Sequence, residues 1–194
     1  MKLLEDRIKQ HGKVGDGNIL KVDSFLNHQI DAQLLDEMGA EFERLYHEAG
    51  VTKILTIEAS GIAIAVMAAR HFGVPVVFAK KHKTLNIHGD VYVSSVESFT
   101  HKTTYDITVS KAFLNEGDRV LIVDDFLATG NALIGLIDLC RQAGAEVVGA
   151  GIAVEKAFQE GGKQLRERGL RVESLARVKN LSVTEGVSFV EDEE

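Results

Sequence analysis

The chain has 194 residues, with 22 Lys or Arg against 29 Asp or Glu and a formal net charge of −7, an acidic balance that runs against nonspecific nucleic-acid binding. Cys140 is the only cysteine and Pro75 the only proline, which excludes an internal disulfide framework, a multi-thiolate metal centre and Pro-rich linkers. No apolar run reaches the ~18 residues of a membrane span, and charges break the opening MKLLEDRIKQ where a signal peptide needs an apolar stretch, so the expectation is one cytoplasmic domain with no membrane and no nucleic-acid partner.

Lys2–Gln10 has the spacing of a short amphipathic helix with Leu3, Leu4 and Ile8 inward, stopped by the glycines at 12, 15 and 17. Ile19–Val22 reads as a short strand. Asp31 caps a helix whose apolar residues Leu34, Leu35, Met38, Phe42 and Leu45 recur at helical spacing. An alternation follows: strand Lys53–Ile57, helix Gly61–His71, strand Val74–Ala79, strand Val120–Val123, a helix with Leu133, Leu136, Ile137 and Cys140 on one face, strand Glu146–Val154, a short helix at Gln164–Arg168, and a last core strand from Leu170. Short apolar strands alternating with helices predict an α/β fold, a mainly parallel twisted sheet covered by helices on both faces. Lys80–Lys111 departs from the pattern: it is polar, with strand-like alternation at Val91 and Val93 and at Tyr105, Ile107 and Val109, and reads as a mobile antiparallel hairpin outside the parallel core. The tail from Asn180 ends in EDEE and is expected to fray beyond Val190.

Ligands of open α/β sheets bind beyond the carboxyl ends of the strands, and three strand ends here carry polar residues of a coherent kind. VLIVDDFLATGNA (Val120–Ala132) is the strongest. Its apolar residues put Asp124 and Asp125 just past a strand end, and Ala128-Thr129-Gly130-Asn131 opens the next helix. A glycine at a helix start lets backbone N–H groups approach an anion, and the helix end adds about half a unit of positive charge. Adjacent carboxylates suit hydroxyls or a magnesium-bound sugar rather than phosphate, so the string describes the two ends of a phosphorylated sugar. An ordinary turn with a solvated Asp cap leaves the second, repelling carboxylate without a reason.

The second strand end, Glu58-Ala59-Ser60-Gly61, offers small residues at another helix start; an N-cap by Ser60 is the competing reading, and the role of Glu58 beside an anion is open. The third is Glu155-Lys156, where a lysine after a buried strand is either a surface cation or a donor to a keto oxygen. Lys80, Lys81, His82 and Lys83 form a local cationic run, either a solvated face or an anion site. Phe126 and Phe158 either sandwich a flat ligand or belong to the core. Gly149-Ala150-Gly151 lacks the third glycine of a dinucleotide fingerprint. Gly161-Gly162-Lys163 lacks the leading glycine and the Ser or Thr of a P-loop. The seven histidines show no zinc-binding spacing, and Cys140 on an apolar helix face reads as packing.

VLIVDDFLATGNA resembles the 5-phosphoribosyl-1-pyrophosphate (PRPP) motif of type I phosphoribosyltransferases, and the resemblance extends over nearly the whole chain. LKVDSFLNHQID (Leu20–Asp31), IEASGIA (Ile57–Ala63), VFAKKHK (Val77–Lys83), VEKAFQ (Val154–Gln159) and RVESLARV (Arg171–Val178) draw it toward the bacterial, xanthine-using branch of that family. The resemblance implies the type I fold in a single domain: a core of roughly 36–178, a hood from 1–35 and 179–194, and a hairpin lid at roughly 82–106. It implies transfer of the phosphoribosyl group from PRPP to xanthine, in a homodimer, with Mg2+ carried by PRPP or pyrophosphate and no metal site of the protein's own. Asp124 and Asp125 would hold the ribose hydroxyls as catalytic residues, and Ala128, Thr129, Gly130, Asn131 and Ala132 the 5-phosphate. Leu20, Asn27 and Lys156 would contact the purine. Ala59, Ser60, Gly61 and Lys81 would contact pyrophosphate, the cations often reaching it from a neighbouring subunit. Alternatives within the fold are other purine or orotate enzymes and a PRPP-sensing transcription regulator, for which the charge is wrong.

Overall fold

In the computed structural model, which describes residues 1–81, 90–97 and 104–191, the elements run α1 (Lys2–His11), β1 (Lys13–Gly15), β2 (Ile19–Lys21), a wide helical turn at Asp23–Asn27, α2 (Ala32–Tyr46), β3 (Lys53–Ile57), α3 (Ser60–Phe72), β4 (Val76–Ala79), β5 (Val91–Glu97), β6 (Thr104–Ser110), β7 (Arg119–Leu127), α4 (Asn131–Ala143), β8 (Glu146–Lys156), α5 (Glu160–Glu167), β9 (Val172–Ser182) and β10 (Gly186–Phe189). Six strands form one sheet in the order β10-β9-β8-β7-β3-β4. All its pairings are parallel except that of β10, an antiparallel edge strand.

The period-two pattern of the buried strands decides which layer each side chain joins. On β7, Leu121 and Val123 enter a cluster built with α1, α2 and α3 through Leu4, Leu35, Phe42 and Ala65. Val120 and Ile122 enter a second cluster, built with α4 and the β5–β6 hairpin through Leu136, Cys140 and Ile107. The helix ends follow their sequence signals. Asp31 Oδ1 accepts from the Leu34 N–H at 3.1 Å and caps α2, and Gly144, at φ +71°, closes α4 in a conformation only glycine adopts freely.

β7 is longer than its apolar run. Asp124 and Asp125 do not follow the strand; they lie in it, because β8 runs on to Lys156 and keeps the ladder going through Asp124–Ile152, Phe126–Val154 and Leu127–Glu155. On the other side, β3 pairs with β7 only as far as Leu55–Ile122. The two acids therefore stand on a strand paired on one edge and open on the other, which creates the crevice. β8 likewise carries Glu155 and Lys156 within the strand.

β5 and β6 pair antiparallel in full register, as the alternation predicts. Of the expected lid at 82–106, residues 82–89 and 98–103 lie outside the described residues; the rest is a stem docked on α4. An added Cβ on Gly135 of α4 would overlap Val96 Cγ2 and come within 3.1 Å of Ile107 Cδ1, so glycine sets how close the stem sits. Gln142 Nε2 donates to Val93 O at 2.8 Å. Lys80 and Thr108 exchange both backbone hydrogen bonds and tie the hairpin to the end of β4. β9 continues past Asn180 to Ser182 and β10 returns, with the Val190 N–H donating to Arg177 O; of the stretch beyond Val190 that was expected to fray, residues 192–194 lie outside the described residues. The N-terminal amine donates to Leu175 O, and Lys9 Nζ lies 5.4 Å from the Phe189 ring centre, which brings the two ends of the chain together.

Candidate active site

Asp124 is 4% exposed and its Oδ1 accepts from the Asp125 N–H at 3.0 Å. Burial, then the neighbouring Asp125 charge, pushes the Asp124 carboxyl well above the usual carboxylate range. Asp125 is only half-buried; its Oδ1 accepts from the Phe126 N–H at 2.9 Å. Gly61, at the start of α3, lies against the pair: a Cβ there would overlap Thr56 Oγ1 and approach Asp124 Oδ1 to 2.9 Å.

Three further groups of expected residues converge here. Asn27 ends the wide turn at Asp23–Asn27, and its Nδ2 donates to Asp125 Oδ2 at 3.4 Å. Residues Ala128–Gly130 form the bend between β7 and α4, with Gly130 at φ +84°. The loop before α3 has a cis peptide between Glu58 and Ala59. Ser60 is the first residue of α3 and not its cap, since the cap position is Ala59 and no side chain caps the helix. The open role of Glu58 resolves: its Oε1 accepts from the Lys81 N–H at 2.6 Å. Lys81 thus sits beside its own chain's cleft, its Nζ 5.8 Å from the Tyr105 ring centre; His82 and Lys83 lie outside the described residues. Tyr105 is raised above its usual pKa by burial and by the Asp124 charge.

At the end of β8, Lys156 Nζ donates to Asn18 O at 3.0 Å and lies 6.0 Å from the Phe126 ring centre. Burial lowers its pKa. Phe158, 38% exposed, lines a cavity of about 500 Å³ with Asn18, Thr129, Gln159, Glu160 and Gln164. The Leu20 side chain belongs to the main core. A larger groove of about 640 Å³ lies away from this chemistry, along β4 and the segment after β6.

The sequence named Glu155 only as the neighbour of Lys156 and missed its buried partners. Glu155 is 2% exposed and takes two hydrogen bonds of 2.7 Å from Arg166 and one of 2.6 Å from Ser174. Burial opposes its charge, but these bonds outweigh burial and hold the carboxyl below its usual range. An acidic residue directly after the apolar run GAGIAV was the available signal, because such a charge needs a buried partner. The Asn131 amide, expected at a phosphate, donates its Nδ2 to Glu97 O at 3.1 Å, at the end of the hairpin stem.

An acid pair and a glycine bend thus lie at the carboxyl ends of a parallel sheet, with Lys81 and Lys156 on either side. The phosphoribosyl transferase domain family matches residues 21–176, and the chain belongs to this family, an enzyme of the pentosyltransferase class. The xanthine phosphoribosyltransferase of Lachnoclostridium phytofermentans is 58% identical over 186 residues, 96% of each chain. That of Bacillus cereus is 54% identical over 100% of this chain and 98% of its own. The solved adenine phosphoribosyltransferase of Giardia lamblia, complexed with 9-deazaadenine, shares the fold with a TM-score of 0.76 at 23% identity, over 90% of this chain and 97% of that one.

Proposed function

We propose that this chain transfers the 5-phosphoribosyl group from PRPP to xanthine, giving XMP and pyrophosphate in purine salvage. The observation that carries the reading is the meeting of Asn27 and Asp125, which sets an expected purine contact against an expected ribose contact. Full-length similarity to enzymes of that name supports the choice of base.

In the reaction the C1–O bond to pyrophosphate breaks as a C1–N bond to the purine forms. Positive charge develops on the ribose ring in between. Asp124 and Asp125 hold the ring hydroxyls and offset that charge. The backbone of Ala128–Ala132 takes the 5-phosphate at the start of α4, with the Thr129 hydroxyl. Ala59, Ser60, Gly61 and Lys81 hold pyrophosphate. Magnesium would enter with PRPP or pyrophosphate, where it would help neutralise the departing diphosphate. Lys156 donates to a purine keto oxygen, Asn27 supplies an amide, and Leu20 acts through its backbone. Lysine only donates, so it favours the keto groups of xanthine over the amino group of adenine.

The same reading divides the chain into hood (1–35 and 179–194), core (36–178) and lid (82–106), the lid closing to keep water from PRPP. A homodimer in the cytoplasm is part of the same reading. Exposed Phe78 and Phe113 beside edge strand β4 favour a partner there, and no described helix is long and apolar enough to cross a membrane. The test is pyrophosphate release from PRPP with each purine base in turn. Xanthine should give the fastest release; release with adenine and none with xanthine overturns the assignment.

A further inference from the structure

Gly161-Gly162-Lys163 is no P-loop, yet both glycines stand where a side chain does not fit. The Gly161 N–H donates to Ala128 O at 3.2 Å. A Cβ on Gly161 would overlap Ala128 O and lie 2.5 Å from Thr129 C and 2.6 Å from Gly130 N, all backbone atoms. From the other side, a Cβ on Gly130 would lie 3.4 Å from Gly161 Cα and 3.3 Å from Leu165 Cδ1. Helix α5 therefore rests on the bend 128–130 backbone against backbone. Its other end is anchored. Arg166 grips the buried Glu155 carboxylate with two hydrogen bonds and also donates to Val172 O from Nη2 at 3.1 Å. Gly162 leaves room for that carboxylate, which a Cβ would overlap.

We propose that α5 is a positioning element for the phosphate loop, with Gly161 setting the loop's height and the Glu155–Arg166 pair holding the helix against it. This rests on the reading that residues 128–132 take the 5-phosphate. The loop binds through N–H groups whose directions are set by its backbone, and a displacement of about 1 Å is enough to cost a large factor in a positioned reaction. Glu155 precedes Lys156 on β8, so one strand end anchors the phosphate side and reaches toward the base.

The experiment compares Gly161→Ala, Arg166→Gln and Thr129→Val with the wild type in the full-length protein. The readouts are KM for PRPP, KM for xanthine, calorimetric binding of ribose 5-phosphate, and melting temperature. Gly161→Ala and Arg166→Gln should each weaken PRPP and ribose 5-phosphate about tenfold, with KM for xanthine changed less than about twofold. The double variant should fall short of the product of the two, because both act through one contact. A lower melting temperature with unchanged PRPP binding, or equal weakening of PRPP and xanthine, overturns the proposal. If Gly161→Ala does not fold, Arg166→Gln decides alone. Should Thr129→Val weaken ribose 5-phosphate while the α5 variants do not, the phosphate loop stands and the role of α5 falls. Should Thr129→Val also leave ribose 5-phosphate binding untouched, the phosphate reading itself fails and takes the proposal with it.

Discussion

The backbone N–H of Lys81 donates to Glu58 Oε1 at 2.6 Å, joining the loops that follow the adjacent parallel strands β3 and β4. The carboxylate of Glu58 is thereby occupied with orienting a cationic segment. Glu58→Gln keeps a weaker acceptor and loses the charge assistance. We expect pyrophosphate product inhibition to weaken roughly three- to tenfold with little change in KM for xanthine; product-inhibition kinetics read both.

Replacing the acid pair separates fold from chemistry. Asp124→Asn and Asp125→Asn should each lower kcat by about 10²- to 10³-fold, the scale of losing one preorganised electrostatic contact, while circular dichroism remains native. Unchanged turnover would remove these carboxylates from the mechanism.

The raised Asp124 carboxyl also predicts a pH dependence of stability. Between the ordinary aspartate pKa and the raised folded value, the native state holds a proton the unfolded chain has released. Stability falls as pH rises through that window and then levels. Asp124→Asn removes this loss, so the ligand-free variant should melt higher than wild type at neutral pH, and the gap should close below about pH 4. Glu155, held below its usual range, acts in the opposite sense: its contribution is present above the ordinary glutamate value and is lost as pH falls. Thermal melts across pH test both.

Much of this was legible beforehand, for definite reasons. KILTI and VLIV are β-branched apolar runs bounded by polar turns, and the Leu133–Cys140 spacing admits only a helix face. The acid pair stood out because adjacent carboxylates on a buried run repel. What escaped depends on partners far along the chain. β7 outlasts its apolar residues because β8 pairs with it past Asp124, and β10 exists because β9 offers it an edge. Neither the Glu58–Lys81 bond nor the Glu155–Arg166 pair has any local periodicity to announce it.

Lys156→Ala should raise KM for xanthine about ten- to hundredfold, the loss of one hydrogen bond from a charged donor at ~1.5–3 kcal/mol, and KM for PRPP far less. Because burial lowers its pKa, xanthine affinity should fall with rising pH before an ordinary lysine would titrate. Steady-state kinetics across alkaline pH check both statements.

The Asn131–Glu97 bond ties the start of α4 to the end of β5. Asn131→Ala removes one neutral hydrogen bond of about 0.5–1.5 kcal/mol. Amide exchange in β5 should accelerate by roughly two- to tenfold, read by hydrogen–deuterium exchange mass spectrometry.

Cys140 is sealed between α4 and the sheet, and burial pushes its thiol up to about 12. At neutral pH a maleimide finds almost no thiolate there. A cysteine introduced at exposed Thr104 can then take a fluorophore in the otherwise native protein, giving a single-site optical reporter on the hairpin without first replacing the native thiol.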